Sequence, residues 1–146
     1  MFKNDNSKAT GKLTVEIKND KGVVIETREV KNLVVDDGLE YIADRMKNNS
    51  TVMSHMAIGT GSTAAAASDT ALGTEAARQA LTSTTVTANA VAYVASFGAG
   101  TGTGAITEAG ILNANSSGTL LCRTVFSVVN KGASDSMTIT WTVTIS

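Results

Sequence analysis

The sequence predicts a mainly β protein, an antiparallel β-sandwich of jelly-roll-like type with one short α-helix near residues 37–47. Three observations predict it. Apolar and polar residues alternate over much of the chain, the period of a half-buried strand. The alternating residues are rich in Thr, Val and Ile, whose branching at Cβ suits a pleated sheet. Clusters of Asn, Asp, Ser and Gly separate several of these runs at intervals of about ten residues, the spacing of a sandwich.

Lys12 to Lys18 alternates, with Leu13, Val15 and Ile17 on one face and Thr14, Glu16 and Lys18 on the other. Asn19-Asp20-Lys21-Gly22 then supplies turn chemistry, because Asn and Asp initiate turns and glycine takes the left-handed conformation. Val23 to Val30 returns as a second strand. With Asn19 facing Val23, Ile17 faces Ile25 and Val15 faces Thr27. Asp36-Asp37-Gly38 can accept the free N–H groups of a helix start. Leu39, Ile42, Ala43 and Met46 follow at helical spacing and are expected to face the core. Val52 to Ile58 reads as a strand, and Ser62 to Thr74 as a long Ala/Gly/Ser/Thr connection with little to bury. Glu75 to Gln79 is either a helical turn or the start of a strand. Leu81 to Ala88 and Val91 to Phe97 read as strands, and Gly98 to Gly104 as a loop. Ile106 to Leu112 and Thr119 to Val128 read as a hairpin. In the last strand Met137, Ile139, Trp141, Val143 and Ile145 alternate with a ladder of threonines. The expected organisation is an N-terminal arm, residues 1–10, and one domain, residues 11–146. That domain holds a hairpin over 11–30, the helix over 37–47 and the main sandwich strands over 51–146.

Composition narrows the function. With 146 residues the chain is long enough to bury a core without staples. Charged residues make up only 17%, below the usual share of about a quarter. A sparsely charged domain often hides part of its surface in an oligomer. The net charge of −1 offers no basic stripe for phosphates, and aromatic residues at 4% offer no stacking platform for single strands. No nucleic-acid partner is expected. No apolar run approaches the roughly 20 residues of a membrane span, and Met1 to Gly11 lacks the apolar segment of a secretory signal. A soluble protein made in the cytoplasm is expected.

Chemistry-bearing constellations are sparse. Cys122, the single cysteine, excludes an internal disulfide and reads as a buried, inert thiol. His55 is the single histidine, and no G-x-S-x-G elbow accompanies it. One His and one Cys cannot build a structural zinc site. Asp36, Asp37 and Glu40 form the densest carboxylate group and read as helix capping rather than a calcium site. Gly59-Thr60-Gly61 and the run Gly98 to Gly104 lack the strand-to-helix context of phosphate loops. They read as loops or places of close backbone approach. No catalytic residue, metal site or cofactor is expected, and the chain is read as not an enzyme.

The residues singled out are structural or interface candidates: Glu108, Arg123, Trp141, Gly59 and Gly61. With Asn113 facing Gly118 across its turn, Glu108 lies opposite Arg123, Ile106 opposite Val125 and Ile111 opposite Leu120. Both faces of this hairpin are apolar, so it is either central to the domain or part of a subunit contact. A partly sheltered Glu108–Arg123 pair would set register rather than add stability; a pair at the rim would be worth under about 1 kcal/mol. Trp141 falls on the core face of the last strand.

The order of segments carries a resemblance. A hairpin leads to Lys31-Asn32-Leu33-Val34-Val35-Asp36-Asp37-Gly38-Leu39 and the short helix. Then come Met56-Ala57-Ile58-Gly59-Thr60-Gly61, Ser68-Asp69-Thr70-Ala71-Leu72-Gly73-Thr74-Glu75, Ile106-Thr107-Glu108-Ala109-Gly110-Ile111-Leu112-Asn113 and Asp135-Ser136-Met137-Thr138-Ile139-Thr140-Trp141. From about Gly11 to Ser146 the chain resembles small structural proteins of tailed bacteriophages, the head decoration (cement) proteins and the attachment segments of tail or collar fibres. The resemblance implies a virion protein made in the host cytoplasm. Its implied partners are the major capsid protein or other virion proteins, together with copies of itself. The polar arm and the small-residue loops are the parts expected to lie against neighbours. A cement protein is the preferred expectation, a fibre, collar or baseplate component the next, and a carbohydrate-binding module a third.

Overall fold

In the computed structural model, which describes residues 8–146, the strands form one antiparallel sheet curled into a half-barrel. In chain order they are β1 (Ala9–Lys18), β2 (Val24–Val34), β3 (His55–Gly59), β4 (Glu75–Ala80), β5 (Ser83–Thr87), β6 (Ala90–Phe97), β7 (Gly104–Leu112), β8 (Leu120–Lys131) and β9 (Ser136–Ile145), with α1 (Asp36–Arg45) between β2 and β3. In the sheet the order is β4-β3-β7-β8-β2-β1-β9-β6-β5. The mainly β, antiparallel class with one helix is the one the alternation predicts. Glu75–Ala80, open between turn and strand in the sequence, is a strand. Ala9 and Thr10, assigned to the arm, already belong to β1; residues 1–7 lie outside the described residues.

Two corners curl the sheet. β2 pairs with β1 as far as Asn32, then passes to β8 through Leu33 and Val34. The two sheet edges, β4 and β5, are joined by Leu81 and Thr82 alone. The Leu81 N–H donates to Ser54 beside β3, and the Thr82 N–H donates to Val94 of β6. A strand that changes partners in this way turns the sheet over its own core. That core takes Leu13, Val15, Ile17, Ile139 and Trp141 from one half and Met56, Ile58, Ile106, Ile111 and Phe126 from the other.

The first hairpin departs from its expected register. Asn19 and Val23 do close the turn, and Asn19 Oδ1 accepts the Lys21 and Val23 N–H groups. A bulge at Ile17/Lys18 then shifts the pairing by one residue, so Ile17 faces Glu26 and Val15 faces Arg28, not Ile25 and Thr27. A one-residue slip exchanges the faces of a strand. Ile25 is thereby turned outward, and Glu26 and Arg28 lie on the face of Leu13, Val15 and Ile17. They pair with each other at 2.6 Å, and Arg28 also donates to the Ser127 and Val128 carbonyls of β8.

The helix also departs from expectation. Gly38 is buried, Tyr41 and Ile42 pack on the core, and Leu39, Ala43 and Met46 are exposed. Gly38 sets this rotation: a Cβ there would overlap the Leu121 carbonyl, so the helix rests its glycine on β8. Val35, not an aspartate, holds the cap position, with no side-chain cap bond. Asp36 and Asp37 instead place negative charge in the first turn, where the helix dipole favours it.

Candidate structural site at Glu108 and Arg123

Four of the five singled-out residues meet at one place. The β7–β8 turn closes at Asn113 and Thr119, one position beyond the expected Gly118, and a bulge at Ile111/Leu112 adds a second shift. Glu108 therefore lies opposite Val125, Arg123 opposite Gly110 and Ile111 opposite Cys122, and a further irregularity between Ile106 and Glu108 sets Ile106 opposite Val129. Two shifts of one residue leave the faces unchanged. Glu108 and Arg123 so remain on one face as diagonal neighbours, and Arg123 Nε and Nη2 both donate to Glu108 Oε2, at 3.0 and 2.8 Å.

The pair is buried, not half-sheltered, and it faces away from the core just described. What covers it is the connection from Thr60 to Thr74. Glu108 Oε1 accepts the N–H groups of Gly61 and Thr74, at 2.9 and 2.6 Å, and Oε2 accepts that of Gly73 at 2.8 Å. Arg123 Nη1 donates to Asp69 at 2.7 Å, and Nη2 to the Thr63 carbonyl at 3.0 Å. Thr107 holds Gly61 from its other side through the Gly61 carbonyl. A second core forms beneath, from Leu72 of the connection with Val35, Ala57, Leu112 and Leu120. The connection thus has something to bury after all. Both faces of β7–β8 are covered within the domain, so the apolar faces do not require a subunit contact.

Glycine makes the close approach possible. A Cβ on Gly59 would overlap the Thr74 carbonyl oxygen, and one on Gly61 would sit 2.5 Å from Glu108 Oε1. Burial pushes the Glu108 carboxyl up, but the N–H groups of Thr74 and Gly73, the Arg123 guanidinium and the Gly61 N–H together hold it below the usual carboxylate range. Asp69 is treated alike: burial raises it, and the Ala66 N–H and Arg123 bring it lower. A carboxylate with five donors on its two oxygens is a fixed anion, with no lone pair directed at a ligand.

Trp141, the fifth residue, lies apart, fully buried on β9 between Leu13 of β1 and Tyr93 of β6. Cys122 is buried, and burial pushes its thiol well up. His55 Nδ1 lies 2.8 Å from the Oγ of its neighbour Ser54. Among the described residues no three His, Cys, Asp or Glu side chains gather closely enough to hold a metal ion. No helix of the described residues is long and apolar enough to cross a membrane.

Comparison of the chain with protein-family models, curated proteins and solved structures finds no match.

Asp69, Gly73 and Leu72 are the members of this site that sequence reasoning missed. A signal was present. Between Lys47 and Glu75 the only Asp, Glu, Lys or Arg is Asp69, and between Arg78 and Lys131 the only ones are Glu108 and Arg123. Isolated charges in otherwise neutral chain are candidates for pairing with one another, because an unpaired buried charge is costly. Two further staples went unread. Arg78 pairs with Glu75 and donates to the Ala114 and Ser117 carbonyls, tying β4 to the β7–β8 turn. Lys131 is buried and donates to the Gly98 and Asp135 carbonyls at 2.8 Å each.

Proposed function

We propose that this chain is a structural component of a tailed-phage particle, a head decoration (cement) protein that bridges capsid subunits. The observation that carries the reading is the apolar end of the first hairpin. Val23, Val24 and Ile25 are consecutive and 55, 46 and 53% exposed, and Val128 is exposed on β8, whose backbone Arg28 ties to this end of β2. One exposed apolar residue needs no explanation. A run of them at the end of a hairpin marks a surface that gains by leaving water. Covering it against several shell subunits stabilises the assembled state by mass action, with no reaction needed.

The buried ion network fits the same use. Its charges are consumed in holding a small-residue connection rigid, so they present a shaped backbone rather than a reactive group. The resemblance read from the sequence supplies the partner, the major capsid protein of a virion. We read the two halves of the curled sheet as the layers of a jelly-roll-like sandwich. A glycan-binding platform has less support, because Trp141 and Tyr93 are buried and Tyr41 packs on the core.

The test is omission of the protein from the particle. Heads should still form but rupture at lower temperature, and labelled antibody should coat intact heads evenly. Heads of unchanged heat resistance count against the role, and label confined to the neck or tail moves the protein to a fibre, collar or baseplate position.

A further inference from the structure

We propose that the free edge of β5 is a self-pairing surface, at which two copies of this chain join β5 to β5, antiparallel, about a two-fold axis through Thr85. The inference deepens the assembly reading and rests on it for its place in the particle.

Among the described residues β5 is hydrogen-bonded to β6 alone, so one row of its N–H and C=O groups faces outward. All five of its residues are exposed. Proteins normally protect such an edge with charge, proline, a bulge or a cover. β5 has none of the first three: Ser83-Thr84-Thr85-Val86-Thr87 carries no charge and no proline, and its pairing with β6 runs unbroken from Ser83–Val94 to Thr87–Ala90. The opposite edge is defended. β4 carries the Glu75–Arg78 pair and a register break at Gly59.

The partner that fits is a second copy. From Gln79 to Thr107 the chain has no charged side chain, so β5, β6 and their flanks are neutral. A strand that meets itself brings like groups together. A charged edge would repel its copy, and this one does not. A charged strand of another protein would find no complement here. Antiparallel pairing of one edge with itself closes after two copies, whereas β5-to-β4 pairing would propagate into a filament. In the register centred on Thr85, Thr85 meets Thr85, Thr84 meets Val86 and Ser83 meets Thr87. Val86, 71% exposed in the single chain, gains a cross-strand neighbour. The contact is smaller than the roughly 1,000 Å² of a stable interface. It is therefore weak in dilute solution and effective where a shell holds copies close together.

Cysteine cross-linking tests the register. Opposed Cα atoms in an antiparallel pair lie about 4.5–5.5 Å apart, inside the disulfide range of roughly 4.4–6.8 Å. Cys122 is buried and does not compete. Under mild oxidation the Thr85→Cys protein should form a covalent dimer. Ser83→Cys and Thr87→Cys should each do so poorly alone and readily when mixed. Sedimentation should show concentration-dependent dimerisation of the unmodified chain, and Thr85→Lys should raise its dissociation constant about tenfold or more without changing the unfolding midpoint. The proposal is overturned if Thr85→Cys cross-links no faster than Met46→Cys on the exposed helix end, or if the unmodified chain stays monomeric to millimolar concentration. A monomer that still decorates heads overturns the pairing alone. A dimer that never appears in the particle overturns the functional reading alone.

Discussion

Glu108 and Arg123 bond to each other from diagonal positions, two residues away from being opposed. Arg123 reaches Glu108 Oε2 through Nε and Nη2, and the rest of the carboxylate holds Gly61, Gly73 and Thr74. The pair is therefore the fastening of the Thr60–Thr74 connection to the sheet, not merely a cross-strand contact.

Removing one partner should be costly. Glu108→Ala leaves Arg123 Nε and three backbone N–H groups without an acceptor, with Asp69 as the one remaining carboxylate on the buried guanidinium, and should destabilise the protein by about 3–5 kcal/mol, read from urea unfolding. The double variant Glu108→Ala/Arg123→Ala should recover only part of the loss, because the three N–H groups still lack an acceptor. Full recovery would mean that the cost of Glu108→Ala comes from the orphaned guanidinium alone and that the fold does not require the fastening.

This site also marks where legibility in the sequence ends. The strands were legible because alternation records burial directly: Leu13, Val15 and Ile17, and Met137, Ile139, Trp141 and Val143, are buried as their pattern predicts, with Ile145 exposed at the strand end. Registers were not, because a bulge leaves no mark in the alternation. One bulge at Ile17/Lys18 reversed the facing of β2, whereas the two shifts between the β7–β8 turn and Glu108 add to two residues, which keeps the facing and leaves Glu108 diagonal to Arg123. The Thr60–Thr74 connection was illegible because Ala, Gly, Ser and Thr carry no periodic burial signal. Its place is set by backbone N–H groups that the sequence does not display. The face of α1 was misread because a glycine, not a large apolar residue, makes the closest approach.

Acid should weaken the fold through the same group. Glu108 has a folded pKa below its unfolded value, so its contribution is full above the ordinary carboxylate pKa of about 4.3 and is lost as pH falls through the folded value. Asp69 acts in the same direction. Stability should therefore drop as pH is lowered from 5 toward about 2, and the gap between the unmodified protein and Glu108→Gln should narrow over that range. A constant gap would show that Glu108 does not titrate with folding.

Two glycines should respond differently to the same change. Gly59→Ala forces a methyl group onto the Thr74 carbonyl and should cost about 1–3 kcal/mol. Gly98→Ala meets nothing within 4 Å and should stay within about 0.5 kcal/mol of neutral. Thermal unfolding of the two variants side by side checks the claim that the connection lies hard against β3.

Cys122 should be silent toward thiol reagents in the folded protein. Burial raises its pKa well above the ordinary value, so little thiolate forms and no reagent reaches it. Labelling should follow global unfolding in denaturant. Rapid labelling without denaturant would indicate that the curled sheet opens locally at β8.

The most direct measurement of the proposed virion role is a map, at side-chain resolution, of phage particles assembled with this protein. It should place this domain on the outside of the head, bridging capsid subunits, with Val23, Val24 and Ile25 packed against the shell. A head surface without the domain, or a domain whose hairpin end projects into solvent, would contradict the account.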